Sequence, residues 1–263
     1  MARKIVFTSG KGGVGKTTIC ANLGVKLASM GLRVVMLDLD IGLNNLDVVM
    51  GIENKIVFDI VDCLENKCRV RQALVQELRY PNLYILPRSH LFSSNSVNAH
   101  AIKLIVDALA VSFDYVLIDC PAGIDVGFHR AVFCADEAFV VTTPHISSVR
   151  DADKVISVLK SYNLVSVKLI VNRIRGDLVL SGEMVDATRI SKLLKTDLIG
   201  VVQDEDLMGL QIAGRILKQN LKHPSSIDIL GLNVHNGTNY IYDYMSKYRG
   251  LFGNIKRNLR RKL

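Results

Sequence analysis

One segment constrains this chain more than any other: Gly10-Lys11-Gly12-Gly13-Val14-Gly15-Lys16-Thr17, which fits the pattern G-x-x-x-x-G-K-[ST]. It follows the apolar run Ile5-Val6-Phe7-Thr8 and precedes a helical pattern from Ile19 to Leu27. Strand, glycine loop and helix in that order form a phosphate-binding unit, and such a unit needs an α/β sheet to stand on. The glycines let backbone N–H groups converge on phosphate oxygens where a Cβ would obstruct. The helix start near Lys16 points its positive dipole end at the same anion. Lys16 is expected to neutralise the terminal phosphates, and the Thr17 hydroxyl to ligate Mg²⁺. The expected ligand is therefore a nucleoside triphosphate with Mg²⁺. Lys11 adds a second cation beside a highly charged triphosphate. If the loop points it away from its own nucleotide, its target is the nucleotide of a second subunit.

The remainder of the chain agrees with that fold class. Short β-branched runs at 4–8, 33–38, 83–87, 115–119, 138–142, 167–172 and 198–202 alternate with helical patterns at 16–30, 56–65, 97–111, 146–161, 186–195 and 227–247. Runs such as Val34-Val35-Met36-Leu37 and Val116-Leu117-Ile118 are continuously apolar, as in strands covered on both faces. The expectation is one α/β domain over residues 1–247, a mostly parallel sheet with helices on both faces, and a C-terminal tail over 248–263. Hydrophobic residues at 49% and charged residues at 22% are ordinary globular values. No apolar run approaches the roughly 20 residues that span a bilayer, and the N-terminus carries no secretory pattern. The five cysteines are scattered without a Cys-x-x-Cys pair, which disfavours a local zinc or iron–sulfur site and suits a reducing compartment. Cys63 and Cys68 fall in a helical pattern and read as packing residues.

Three carboxylates end apolar runs: Asp38 and Asp40 after one, Asp119 after another. Ligands of open α/β sheets bind at the carboxyl edge, where these side chains would stand. Asp119 there could hold Mg²⁺ through a water. A carboxylate at that edge can also orient a water for in-line attack on the γ-phosphate, because phosphoryl transfer depends on positioning. An Asn-Lys-x-Asp guanine loop is absent from the sequence.

Lys11 through Thr18 resembles the deviant Walker A motif of the ParA/MinD ATPase family. Asp38-Leu39-Asp40-Ile41-Gly42-Leu43-Asn44-Asn45-Leu46-Asp47 is similar to that family's first switch in the form its MinD branch carries, and Asp119-Cys120-Pro121-Ala122-Gly123 to its Walker B and second switch. Ser147-Ser148-Val149-Arg150-Asp151 and Tyr84-Ile85-Leu86-Pro87 also resemble MinD segments, so the likeness runs over essentially the whole chain. The resemblance implies an ATPase that places the division septum. It implies ATP sandwiched between two subunits, with Lys11 reaching the partner's phosphates and Lys16 and Asp40 completing the catalytic set. Asp40 would position the water, while Asp38, Thr17 and Asp119 would support the metal, the carboxylates through water. Gly10, Lys11, Gly12, Gly13, Val14, Gly15, Lys16, Thr17, Thr18 and Gly123 would hold the phosphates, and Asn172-Arg173 the adenine. MinC-like and MinE-like regulators would dock around Ser148 and Asp151. Two departures stand out: Gln203-Asp204-Glu205 where the family commonly has a proline-containing loop, and Asn44 where an arginine is frequent.

The net charge is +8, and seven of those charges lie after Asp243, which leaves +1 for residues 1–243. At 100° per residue, Leu251, Phe252, Ile255 and Leu259 share one face of the tail, and Lys256, Arg257, Arg260 and Arg261 lie off it. Such a segment suits an anionic membrane surface, weakly for one tail and far more tightly for two on a dimer. The expected location is the cytoplasm and the inner face of the cell membrane, or the equivalent in an organelle of bacterial descent. A DNA-partitioning ATPase of the ParA type is the alternative. It would spread basic residues over the body, so no specific nucleic acid is expected as partner. A flagellar-number regulator of the same superfamily would share both the ATPase and the anchor.

Overall fold

A computed structural model describes residues 2–40, 46–88, 98–204 and 224–250. Among the described residues, eight strands form one sheet: β1 (Arg3–Thr8), β2 (Val34–Asp38), β3 (Val75–Gln76), β4 (Leu83–Leu86), β5 (Tyr115–Asp119), β6 (Glu137–Thr142), β7 (Ser166–Ile174) and β8 (Leu198–Gln203). Their order across the sheet is β3-β4-β2-β5-β1-β6-β7-β8, and every pairing is parallel except the short edge pair β3–β4. β1 lies between β5 and β6, so successive crossovers leave in opposite directions on either side of it. The crevice at the carboxyl ends of such strands is where ligands of this architecture bind.

Alternate side chains of each strand enter different cores, which is why the strands read as unbroken apolar runs. Val6, Val35, Leu37, Val116 and Ile118 face one core, Ile5, Phe7, Val34, Met36 and Leu117 the other. The first core is closed by α3 (Ile60–Leu64), α5 (Ala99–Ala110), α6 (Val126–Phe133), α7 (Ile146–Leu159) and α9 (Ala187–Leu194). The second is closed by α1 (Lys16–Ser29), α2 (Leu46–Met50) and α10 (Ser226–Asn236). Two further short helices, α4 (Val70–Ala73) and α8 (Gly176–Leu180), sit in connections.

The expected helix over 56–65 begins only at Ile60, because Asp59 caps it through a reciprocal pair with Asp62. The expected helix over 227–247 ends at Asn236. Gly237 adopts a left-handed φ of 68° and caps it. The chain beyond is a strap with one 3₁₀ turn at Ser246–Tyr248, and Tyr244 and Tyr248 are buried. The seven expected strands are present, β7 running past the expected end to Ile174. The amphipathic tail residues Leu251, Phe252, Ile255, Lys256, Arg257, Leu259, Arg260 and Arg261 lie outside the described residues, as does Asn44. Among the described residues no helix is long and apolar enough to cross a membrane.

Candidate functional site

The glycine loop leaves β1 at Ser9 and enters α1 at Lys16. Gly10 passes so close to α7 that a Cβ would stand 2.3 Å from the Asp151 backbone, so no other residue fits there. Gly15 precedes α1 with φ 89° and ψ 23°, a left-handed conformation that favours glycine. Outside the loop there is open space: a Cβ on Gly12 or Gly13 would meet no atom within 4 Å. The hydroxyl of Ser9 donates to the Lys11 carbonyl (3.0 Å), and Gly123 N–H of the expected second switch donates to the Ser9 carbonyl (2.8 Å). Ser9 thus ties the phosphate loop to that switch. Sequence reasoning missed it, although it directly precedes the first glycine.

The parallel register aligns Asp38 with Asp119, and Asp119 with Phe7, so the ends of β2, β5 and β1 reach one point. There the buried Lys16 ammonium lies 3.0 Å from Asp119 Oδ1 and 3.9 Å from Asp40 Oδ2. Thr17 Oγ1 donates to Asp119 Oδ2 at 2.5 Å. Asp38 accepts from the backbone N–H groups of Asp40 (3.0 Å) and Leu46 (3.3 Å). Burial works against the Lys16 charge, but Asp119 outweighs it and raises its pKa, so the ammonium is held charged. Burial likewise pushes Asp119 upward, while Lys16 and the Thr17 hydroxyl pull it back. Asp38 is pushed up to about 7, first by burial and then by the facing Asp119 charge, with its two N–H donors opposing. Arg88, also missed from sequence, is buried close enough to Asp38 and Asp40 to feel both charges, and desolvation lowers its pKa.

Of the residues named from sequence, Lys16, Thr17, Asp38, Asp40 and Asp119 come together at one edge. Lys11 is exposed on the loop's outer side, Val14 is buried, and Thr18 lies in the first turn of α1. Asn172 reaches the site from β7, its amide donating to the Val14 carbonyl at 2.7 Å within the loop itself. Arg173 turns outward, exposed, with φ 56° at an irregularity in the β7–β8 pairing. On α7, Ser148 is buried and Asp151 pairs with Lys154 at 3.2 Å.

Gln203, the first residue of the departure from the family's proline-containing loop, ties the end of β8 to the C-terminal segment. It is buried, donates to the Tyr244 carbonyl (2.9 Å) and accepts from Lys247 Nζ (3.3 Å). Nearby, Gly176 approaches so closely that a Cβ would stand 2.0 Å from the same Tyr244 carbonyl oxygen. The root of the C-terminal tail is therefore fastened to the carboxyl ends of β7 and β8.

The residues present suit a magnesium nucleotide. A hydroxyl and carboxylate oxygens converge as hard donors, a charged ammonium stands beside them, and the loop's outer face is open to an anion.

Known proteins agree with this geometry. A family profile described as an AAA domain matches residues 2–169. The septum site-determining protein MinD of Bacillus subtilis is 50% identical over 208 residues, covering 78% of this chain and 78% of its own. A chain of the MinC:MinD cell division protein complex of Aquifex aeolicus superposes with a TM-score of 0.85 at 38% identity, covering 92% of this chain and 99% of that one. The Pyrococcus horikoshii septum site-determining protein MinD complexed with Mg-ADP gives 0.77 at 28% identity, covering 89% and 96%. The chain belongs to the MinD septum site-determining family of P-loop ATPases.

Proposed function

We propose that this chain binds MgATP in the glycine loop, pairs face to face with a second copy, rests on an anionic membrane while ATP is intact, and leaves after hydrolysis to ADP and phosphate. Used this way it helps place the division septum. The observation that carries the proposal is the convergence of Lys16, Thr17, Asp38, Asp40 and Asp119 beside an open glycine loop with Lys11 facing outward.

In the proposed cycle, phosphate oxygens compete with Asp119 for the Lys16 ammonium, and the loop N–H groups take the remaining charge. Thr17 and Asp119, with Asp38 behind them, would hold magnesium, which when bound neutralises charge on the phosphates. Asp40 is the more solvent-reached carboxylate of the cluster (side chain 23% exposed), and it orients the attacking water. Gly123, already bonded to Ser9, offers the second switch a route to sense the γ-phosphate. Asn172 holds the loop from behind, and Arg173 lies outside for the base. Lys11 reaches the partner copy's phosphates, where a cation in a water-poor interface stabilises charge more than one in bulk water.

MinC-like and MinE-like regulators are the protein partners this reading implies. MinC is supported by the complex in which the Aquifex aeolicus relative was solved. Light scattering with ATP tests the core of the proposal. The wild type should double in mass and Lys11→Ala should bind nucleotide yet remain single. An ATP-dependent dimer of Lys11→Ala refutes the role of that lysine. Flotation with anionic vesicles tests the anchor: retention should require ATP and be lost on changing Leu251 and Phe252 to Glu. Equal flotation with and without nucleotide refutes the paired-tail reading.

A further inference from the structure

The sequence pattern reads Cys63 and Cys68 as packing residues in a helical pattern. Residues five apart on a helix lie about 140° apart around its axis, so a continuous helix would have separated them. Instead α3 stops at Leu64, and Asn66 takes a left-handed φ of 59°. Lys67 N–H then bonds the Asp62 carbonyl (2.8 Å) and Asn66 N–H the Cys63 carbonyl (3.2 Å). This is the paired closure of a Schellman turn. It folds the chain back on itself and brings the two sulfurs to 3.6 Å. Both thiols are partly exposed, whereas Cys20, Cys120 and Cys134 are buried.

We propose that Cys63 and Cys68 form a reversible disulfide by exchange with a low-molecular-weight disulfide. A bond of about 2.05 Å needs the sulfurs to close by about 1.5 Å, which side-chain rotation in an exposed turn can supply. The two thiols differ in surroundings. Cys63 is pushed up to about 12, by burial first, then by its hydrogen bond to Cys68 and by the Asp59 and Asp62 carboxylates. It keeps its proton. Cys63 holds its proton the more firmly and Cys68 follows the exposed turn residues Asn66 and Lys67, so exchange starts at Cys68.

The Cys68 sulfur attacks one sulfur of the reagent, and the first reagent thiol leaves with a proton. The Cys63 sulfur then gives up its proton and attacks the Cys68 side of the mixed disulfide, and the second reagent thiol leaves. Two protein S–H bonds become one S–S bond, and the reagent's S–S bond becomes two S–H bonds. The site is independent of the nucleotide reading, since no atom of the glycine loop takes part.

Oxidised glutathione added to the full chain, followed by acid quench, mass measurement and peptide mapping, tests this. The wild type should lose two of its five thiols, drop in mass by two hydrogens, show a 63–68 linked peptide, and recover all its thiols with dithiothreitol. Cys63→Ser, which cannot resolve the intermediate, should instead retain glutathione on Cys68. The proposal is overturned if the wild type keeps every thiol, holds glutathione as stably as Cys63→Ser does, or links a different pair or two molecules.

Discussion

The contact between Gly15 and Asn172 allows the phosphate loop's rigidity to be measured as a coupling energy. Gly15 sits at φ 89° and ψ 23°, and a Cβ there would stand 2.3 Å from the Asn172 amide nitrogen. That same nitrogen donates to the Val14 carbonyl at 2.7 Å. In Gly15→Ala the left-handed backbone costs about 1.5 kcal/mol, and pushing the amide aside loses its bond to a buried carbonyl, about 1.5 kcal/mol more. Asn172→Ala alone costs about 1.5 kcal/mol by the same lost bond. In the double variant the backbone strain and the missing bond are each counted once, so the loss is about 3 kcal/mol where additivity demands about 4.5. For a chain of this size 1 kcal/mol moves the melting temperature by roughly 2 °C, so the expected falls are about 6, 3 and 6 °C. Thermal melts of the nucleotide-free protein and its three variants give the cycle directly. A double variant melting about 9 °C lower, the additive outcome, would refute the reasoning that Asn172 and Gly15 compete for one space.

Asp119→Ala leaves the Lys16 ammonium buried with only the longer Asp40 contact of 3.9 Å. Urea unfolding should show a loss of about 3 kcal/mol, and an unchanged midpoint would mean that water already screens the pair. Gln203→Leu orphans the Tyr244 carbonyl beneath the strap. Hydrogen exchange over residues 244–248 should quicken by about tenfold or more, and unchanged exchange there would show that the strap is held by other contacts. Asp228 is held below the usual carboxylate range: burial raises it, but the Lys26 ammonium at 2.8 Å and the Ser225 donors outweigh burial. A lowered folded-state pKa gives stability present in full above the unfolded value of about 4 and lost as pH falls through the folded value. Asp228→Asn should therefore flatten the acid limb of the stability curve below about pH 4. A limb as steep as wild type would assign acid unfolding to other carboxylates.

The strands were legible because burial on both faces leaves unbroken apolar runs, and that signal is independent of neighbouring turns. β3 was not: two residues, Val75 and Gln76, carry no period. α6 was missed because its run Val126 to Phe133 includes Gly127 and His129 and follows directly on the switch-like segment. Asp125 caps it, accepting from Phe128 N–H, and a capping residue before eight mixed positions was the available signal. The overlong helix toward 247 has a plain cause. Tyr244 and Tyr248 keep a helical spacing after Gly237 because the strap buries them against the domain, while Gly237 had already marked the stop. Gln203 could not be read at all, since its partners are a backbone carbonyl 41 residues away and a lysine 44 away.

The carboxylate cluster was legible for a reason that also explains its charge. In a parallel sheet with β2, β5 and β1 in register, the first polar residues after each apolar run arrive at the same height. A reader who marks where each run ends has already listed Asp38, Asp119 and the loop after Thr8. The same alignment forces Asp38 and Asp119 to face each other in a low-dielectric edge, where two negative charges repel more strongly than in water. Lys16 relieves Asp119 at 3.0 Å, whereas Asp38 accepts from two backbone N–H groups. Burial first, and then the facing Asp119 charge, raises Asp38 to about 7, while Asp119 keeps Lys16 charged. Spacing along the chain fixes which groups meet. The depth of the edge and the cations beside it then decide which of them carries charge, and both exist only once the sheet has closed.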